Sequence, residues 1–279
     1  REDNIEALKA NGADIVVRDL EEITLDDINQ WFEKGIAEDN WKLQYNDYDS
    51  GKEKSREALL TVGNGFFGTR GAMEETSSGE HNYPCTYIAG MYNRLITKIS
   101  GRDIENEDFV NVHNWTKISF KIEDENWFDP NEAKIDSISR QLDFRNGLLS
   151  KMMIVTDDEG RKTKIESFRF ASMAYMHFAA IKYRVTPLNY SGSVSFCSSL
   201  DGTHKNEGEK RYNTLNQQPL EPMEHGGDGN ITFLKVKTTQ SDIEIVQAAK
   251  LQFSANGSRQ QTEYGVSTDD GIVYTMIDH

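Results

Sequence analysis

The chain has 279 residues, 28% charged and 37% hydrophobic, with a formal net charge of −15. That length can bury one large all-β domain or two smaller ones. The charge argues against nucleic acid and anionic membrane as partners, since either would add like-charge repulsion, and no apolar run approaches the ~18 residues of a membrane helix.

Residues 1–36 read as a helix–strand–helix piece. Ile5, Leu8 and Ala10 suggest the end of a helix, with Gly12 as its stop. Ile15-Val16-Val17 suits a short buried strand. Thr24 then N-caps a second helix whose Leu25, Ile28, Trp31 and Phe32 share one face. The first residues carry neither a signal peptide nor a starting Met. A cytoplasmic location and a longer parent polypeptide are the expectations.

Residues 37–279 read as β-rich. Arg56–Gly71 reads as two short strands joined by Asn64-Gly65, a dipeptide suited to a type I′ turn. Gly68 and Gly71 thin the second strand and suggest close backbone approach or a bulge. Gly63, Gly65 and Gly68 also match the Gly-x-Gly-x-x-Gly spacing of dinucleotide sites. No apolar helical stripe follows, so the context that motif needs is missing.

Further strands are expected over Lys117–Ile122, Lys134–Phe144, Leu149–Val155, Arg161–Phe170 and Phe178–Val185. Gly192–Ser199, Asn230–Thr239, Asp242–Phe253 and Gly271–Ile277 complete the set. Turn signals such as Asp157-Asp158-Glu159-Gly160 and Asp269-Asp270-Gly271 separate them. Many strands with short turns imply packed antiparallel sheets. Two polar connections, Glu74–Tyr83 and His204–Gly229, are long enough to be functional or disordered.

Side-chain chemistry is sparse. The carboxylates Glu105, Glu107 and Asp108 could pair for glycoside cleavage, but a charge run is usually a solvated face. The histidines show no metal-ligand spacing, and Cys85 and Cys197 are expected as free thiols.

Glu57-Ala-Leu-Leu-Thr-Val-Gly-Asn-Gly-Phe-Phe-Gly-Thr-Arg-Gly71 resembles the signature near the start of glycoside hydrolase family 65. Thr86–Asn93, Glu105–Asn111 and Gln141–Gly147 resemble its later segments in the same order. The family contains maltose, trehalose and kojibiose phosphorylases. The resemblance implies a large antiparallel β-super-sandwich, similar to the galactose mutarotase fold. It also implies that the catalytic acid and the phosphate site lie in an (α/α)₆ barrel beyond this chain. Partners would then be that barrel, a disaccharide substrate, and a second copy in a homodimer. Inorganic phosphate would be co-substrate, with no metal or organic cofactor and no activity for this chain alone. Ala10–Ile23 resembles the tail of a β-phosphoglucomutase-like phosphatase of the haloacid dehalogenase superfamily, which would make the parent a fusion.

Asn64, Phe67, Arg70, Glu80 and His81 are the candidates for bordering the barrel or its substrate. Arg70 has two readings: an internal clamp, or a residue at the barrel's mouth. The competing functional readings are a stand-alone carbohydrate-binding module and a family 65 hydrolase. A mutarotase-type enzyme would need a His/Glu pair that spacing does not reveal.

Overall fold

The computed structural model describes residues 41–206 and 218–279. The helix–strand–helix expected over 1–36 lies outside the described residues. The rest is mainly β, and the strand pairs from Val62 onward are antiparallel.

Three sheets carry the architecture. The first contains β1 (Lys42–Tyr45), β8 (Lys134–Asp143), β9 (Leu148–Thr156), β10 (Lys162–Ala171) and β11 (Ala179–Pro187), in that order. The second has the order β18 (Gly265–Asp269), β19 (Ile272–Asp278), β12 (Val194–Asp201) and β7 (Ile118–Ile122). The third joins β13 (Leu220–Asp228), β14 (Ile231–Thr238) and β15 (Glu244–Lys250). Smaller pieces are β2 (Val62–Gly63) with β3 (Phe67–Thr69) and β4 (Thr86–Ile88), the ribbon β5 (Tyr92–Ile99) with β6 (Arg102–Phe109), and β16 (Ser254–Ala255) with β17 (Ser258–Arg259).

Alternation explains the layering, because successive side chains point to opposite faces. Ile138, Met153, Val155 and Ile165 of the first sheet meet Phe120, Ile122 and Val194 of the second in one apolar cluster. Leu200 and Val273 of the second sheet meet Leu220, Leu234 and Val236 of the third in another. Val194 and Leu200 are an even number of residues apart on β12, so both clusters use the same face of the second sheet, one toward each end of it. The first and third sheets both pack on that face. Among the described residues, no helix is long and apolar enough to cross a membrane.

All nine alternating stretches form strands close to their expected limits. Three expectations are corrected. Glu53–Leu59 is a helix, α1, rather than the start of a strand. Its Glu, Lys, Arg, Ala and Leu content favours helix, and Asp49 accepts from Gly51 N in the turn that precedes it. The hairpin turn is centred on Gly65-Phe66, not Asn64-Gly65: Gly65 has φ +86°, Asn64 is not left-handed, and Asn64 N bonds Phe67 O. Glycine at the first central position is the type II′ arrangement. Finally, β13 occupies Leu220–Asp228, so the connection expected over His204–Gly229 is largely strand at its C-terminal end. Pro222 sits at its register shift, where a missing N–H is tolerated.

One buried polar cluster flanks the second core. His113 and His204 are buried, and each Nε2 lacks a hydrogen-bond partner among the described residues. His204 Nδ1 lies 3.3 Å from Asp201 Oδ2. Burial, with the neighbouring His204 adding to it, pushes His113 down from 6.5 to about 4. Between those values the unfolded chain binds a proton that the folded chain does not. Stability therefore falls with pH through this window, by a few kcal/mol in all. Denaturant titrations from pH 7 to pH 5 should show that slope. In His113→Leu the slope should be visibly flatter.

Candidate functional site

The inner face of the first sheet is not apolar throughout. Arg140 on β8 pairs with Lys151 on β9, Lys151 with Ser167 on β10, and Ser167 with Tyr183 on β11. These four form a polar row across four strands. On one side lie Ile138, Met153 and Ile165; on the other lie Leu142 and Leu149, which pack against Leu60 and Val62.

Two segments cover the row. From α1, Glu53 accepts both guanidinium nitrogens of Arg140, each at 2.7 Å, a bidentate pair with both partners buried. From the connection between β3 and β4, Glu74 and Glu75 converge on Lys151 Nζ at 2.8 and 2.6 Å. Ser167 donates to Glu74 at 2.9 Å and Tyr183 to Glu75 at 2.6 Å. Lys117 donates to the Glu75 carbonyl, and Arg169 to the Ala72 carbonyl at 2.8 Å.

Burial alone would push the Glu74 carboxyl up. The Lys151 and Arg169 charges beside it outweigh that and hold it well below the usual carboxylate range. Burial dominates at Arg169, which is shifted down, and at Tyr183, which is shifted up. A buried charge is tolerable only with such partners.

The signature residues anchor the same construction. Asn64 Oδ1 accepts from the N–H groups of Phe66 and Phe67, both at 3.1 Å. Its Nδ2 donates to the carbonyls of Ser172 and Met176 at 2.7 and 3.0 Å. The hairpin tip is thereby tied to the β10–β11 connection. Phe67 is half-buried opposite Ile88, and Phe66 packs on His177 with ring centroids 4.3 Å apart.

Arg70 donates to the Lys54 carbonyl, lies 3.6 Å from Glu57 and sits over the Tyr83 ring. Buried Glu57 accepts from Asn82 Nδ2 and Tyr83 N, each at 2.9 Å. Burial raises the Glu57 carboxyl despite these partners. Glu80 is exposed and His81 half-buried, in the tip where Gly79 N bonds Asn82 O. The connection Glu74–Tyr83 is therefore held at both ends by buried side chains, with only its middle in solvent.

The glycines divide by position. A Cβ at Gly71 would lie 2.4 Å from Leu60 Cβ and 2.6 Å from Leu60 O, and one at Gly63 would lie 2.9 Å from Phe67 O. At Gly68 it would meet nothing nearer than 3.8 Å, so the close approach expected there belongs to its neighbours.

Chemically, the buried groups neutralise one another. Glu107 pairs with Arg94 at 2.7 Å on the exposed β5–β6 ribbon, so that acidic run is a solvated face. No group of three His, Cys, Asp or Glu side chains among the described residues is placed to hold a metal. The sequence reading missed Glu53, Glu57, Arg140, Lys151, Arg169 and Tyr183. A signal was present: Arg140 is in phase with Ile138 and Leu142, and Lys151 with Leu149 and Met153. A charge in phase with apolar positions marks a buried partner.

The sequence profile of the glycosyl hydrolase family 65 N-terminal domain matches residues 43–276. An uncharacterized glycosyl hydrolase of Mycobacterium tuberculosis is 36% identical over 232 residues, 83% of this chain and 18% of that protein. Kojibiose phosphorylase of Thermoanaerobacter brockii is 30% identical over 228 residues, 82% of this chain and 28% of that enzyme. A solved structure, "Putative kojibiose phosphorylase from human microbiome", superposes with TM-score 0.70 at 21% identity, covering 87% of this chain and 30% of that one. This last likeness concerns the fold. The chain thus spans less than a third of each of these relatives.

Proposed function

This chain belongs to the glycosyl hydrolase family 65 N-terminal domain family, and from that premise we propose that it is the non-catalytic sandwich of a disaccharide phosphorylase. The parent enzyme would cleave an α-glucoside with inorganic phosphate, releasing β-glucose 1-phosphate. Its general acid and phosphate site would belong to a catalytic barrel elsewhere in the polypeptide. The observation that carries this reading is a family match over 43–276 in a chain whose matched part covers 28% of a kojibiose phosphorylase.

The role of the sandwich is then mechanical. The Glu53, Glu74 and Glu75 pairs fix α1 and the signature segment rigidly on the first sheet. A rigid scaffold can hold an adjoining barrel in one position. Asn64, Phe67, Arg70, Glu80 and His81 remain our candidates for its edge, with Glu80 and His81 the more accessible.

Incubating the 279-residue chain with maltose, trehalose or kojibiose plus phosphate should yield no glucose 1-phosphate. The full-length parent should yield it from at least one. Product from the chain alone would overturn the scaffold reading. Phosphate-independent glucose release by the parent would make it a hydrolase.

A fusion to an upstream phosphatase-like domain belongs to the same proposal. The same stretch is 18% of the mycobacterial relative and 28% of the kojibiose phosphorylase, so the former is roughly half as long again, room for at least one further domain.

A further inference from the structure

A cleft of about 370 Å³ opens between the residues after β1 and the 130–138 stretch. Asn46, Asp47, Tyr48, Asn131, Asp136 and Ser137 supply its polar lining, with Pro130 and Ile135 as apolar wall. None of these belongs to the polar row or the signature hairpin. We propose that this cleft is a binding site for a neutral saccharide, held through its hydroxyl groups.

The ligand class follows by elimination. Two carboxylates in a chain of net charge −15 repel an anion. A metal ion would want three or more anionic or imidazole ligands, and no such group exists among the described residues. Asp47 is already paired with Arg56 at 2.7 Å, and Asp136 accepts the Thr156 hydroxyl at 2.5 Å. Each retains a second oxygen able to accept from a hydroxyl. Asn46, whose Oδ1 accepts from Gln44, still offers its Nδ2 as a donor, and the Ser137 hydroxyl adds another. A mixture of acceptors and donors beside a small apolar wall suits a polyhydroxyl ring. The volume sits near the lower end of the ~300–1,000 Å³ typical of small-ligand sites, the scale of one or two sugar rings.

Two features show that the cleft is built. The first is a β-bulge: Ile135 pairs with Val155 and Ser137 with Ile154, leaving Asp136 as the extra residue. Bulges re-aim side chains and gather near sites. The second is a fixed polar chain behind the lining. Tyr48 donates to Asn131 Oδ1 at 2.5 Å, and Asn131 Nδ2 donates to Asn82 Oδ1 at 3.1 Å. Asn82 is buried and donates to Glu57 at 2.9 Å. Tyr48 and Asn131 thus hold one orientation before any ligand arrives, which lowers the ordering cost of binding.

The test is titration of the 279-residue chain with glucose, maltose and kojibiose, read by calorimetry and by amide shifts at residues 46–48 and 131–137. Saturable binding of at least one sugar is expected. Ser137→Trp, which fills the cleft from an exposed position, should weaken it at least about tenfold at unchanged melting temperature. Asn46→Ala, which removes a donor outside the core, should weaken it several-fold and decides the matter if the tryptophan variant does not fold. No saturable binding, or equal affinity in wild type and Asn46→Ala, would overturn the proposal. The scaffold reading stands or falls separately, on phosphorolysis by the full-length parent.

Discussion

Replacing Lys151 by methionine is expected to lower the unfolding free energy by about 3–5 kcal/mol, the usual cost of removing one partner from a buried ion pair. The side chain is of similar length, so packing changes little. What changes is charge: Glu74 and Glu75 lose the ammonium that both contact at under 3 Å. With typical domain stabilities of about 5–15 kcal/mol, such a loss removes a large share of the total. Urea denaturation at pH 7 would measure it.

A charge account makes two further demands. Glu75→Gln in the Lys151→Met background should recover much of the loss, because the excess negative charge is removed while Glu74 still faces Arg169. In the wild type, Glu74 is held below its ordinary value, so its contribution is present above pH 4.5 and lost as pH falls through the folded value. Without Lys151 only Arg169 still holds the same carboxyl down, against its burial, and the deficit of the variant should shrink toward acid pH. A variant within 1 kcal/mol of wild type at pH 7 would mean that the pairs do not anchor the signature segment.

This network also shows where legibility ended. The strands of the first two sheets are readable because alternation and turn residues agree, as in Leu149–Val155 and Arg161–Phe170. The family likeness rests on Asn64-Gly65-Phe66-Phe67-Gly68 and its neighbours, which the fold places in the hairpin. The covering residues were not readable in the same way. Glu74 and Glu75 sit in a polar, Ser/Gly-rich run whose composition suggests solvent. Their burial depends on Lys151 and Ser167, more than seventy residues away. The helix over Glu53–Leu59 was obscured for a local reason, since it abuts a two-residue strand that made the whole stretch look extended. The cleft had no local signature, because β1 and the 130–138 stretch meet only when the first sheet forms.

Gly71→Ala should be the second severe change, for a steric reason. Its Cβ would stand 2.4 Å from Leu60 Cβ and 2.6 Å from the Leu60 carbonyl oxygen. Neither is the far end of a flexible side chain, so backbone must move. Leu60 is fully buried at the end of α1, and Gly71 N bonds the Glu57 carbonyl at 2.7 Å. Any shift that relieves the clash stretches that bond. It also pulls on Arg70 and on Ala72, whose carbonyl accepts a hydrogen bond from buried Arg169. Overpacking alone costs typically ~1–3 kcal/mol, and loss of a buried hydrogen bond adds to it. A loss at or above the upper end of that range is expected, measured as a fall in the denaturation midpoint. Gly79→Ala is the control. Nothing lies within 4 Å of its added carbon and its backbone is not left-handed. It should stay within about 0.5 kcal/mol of wild type. Equal effects at the two positions would show that the signature glycine is not there to let the strand close on the helix.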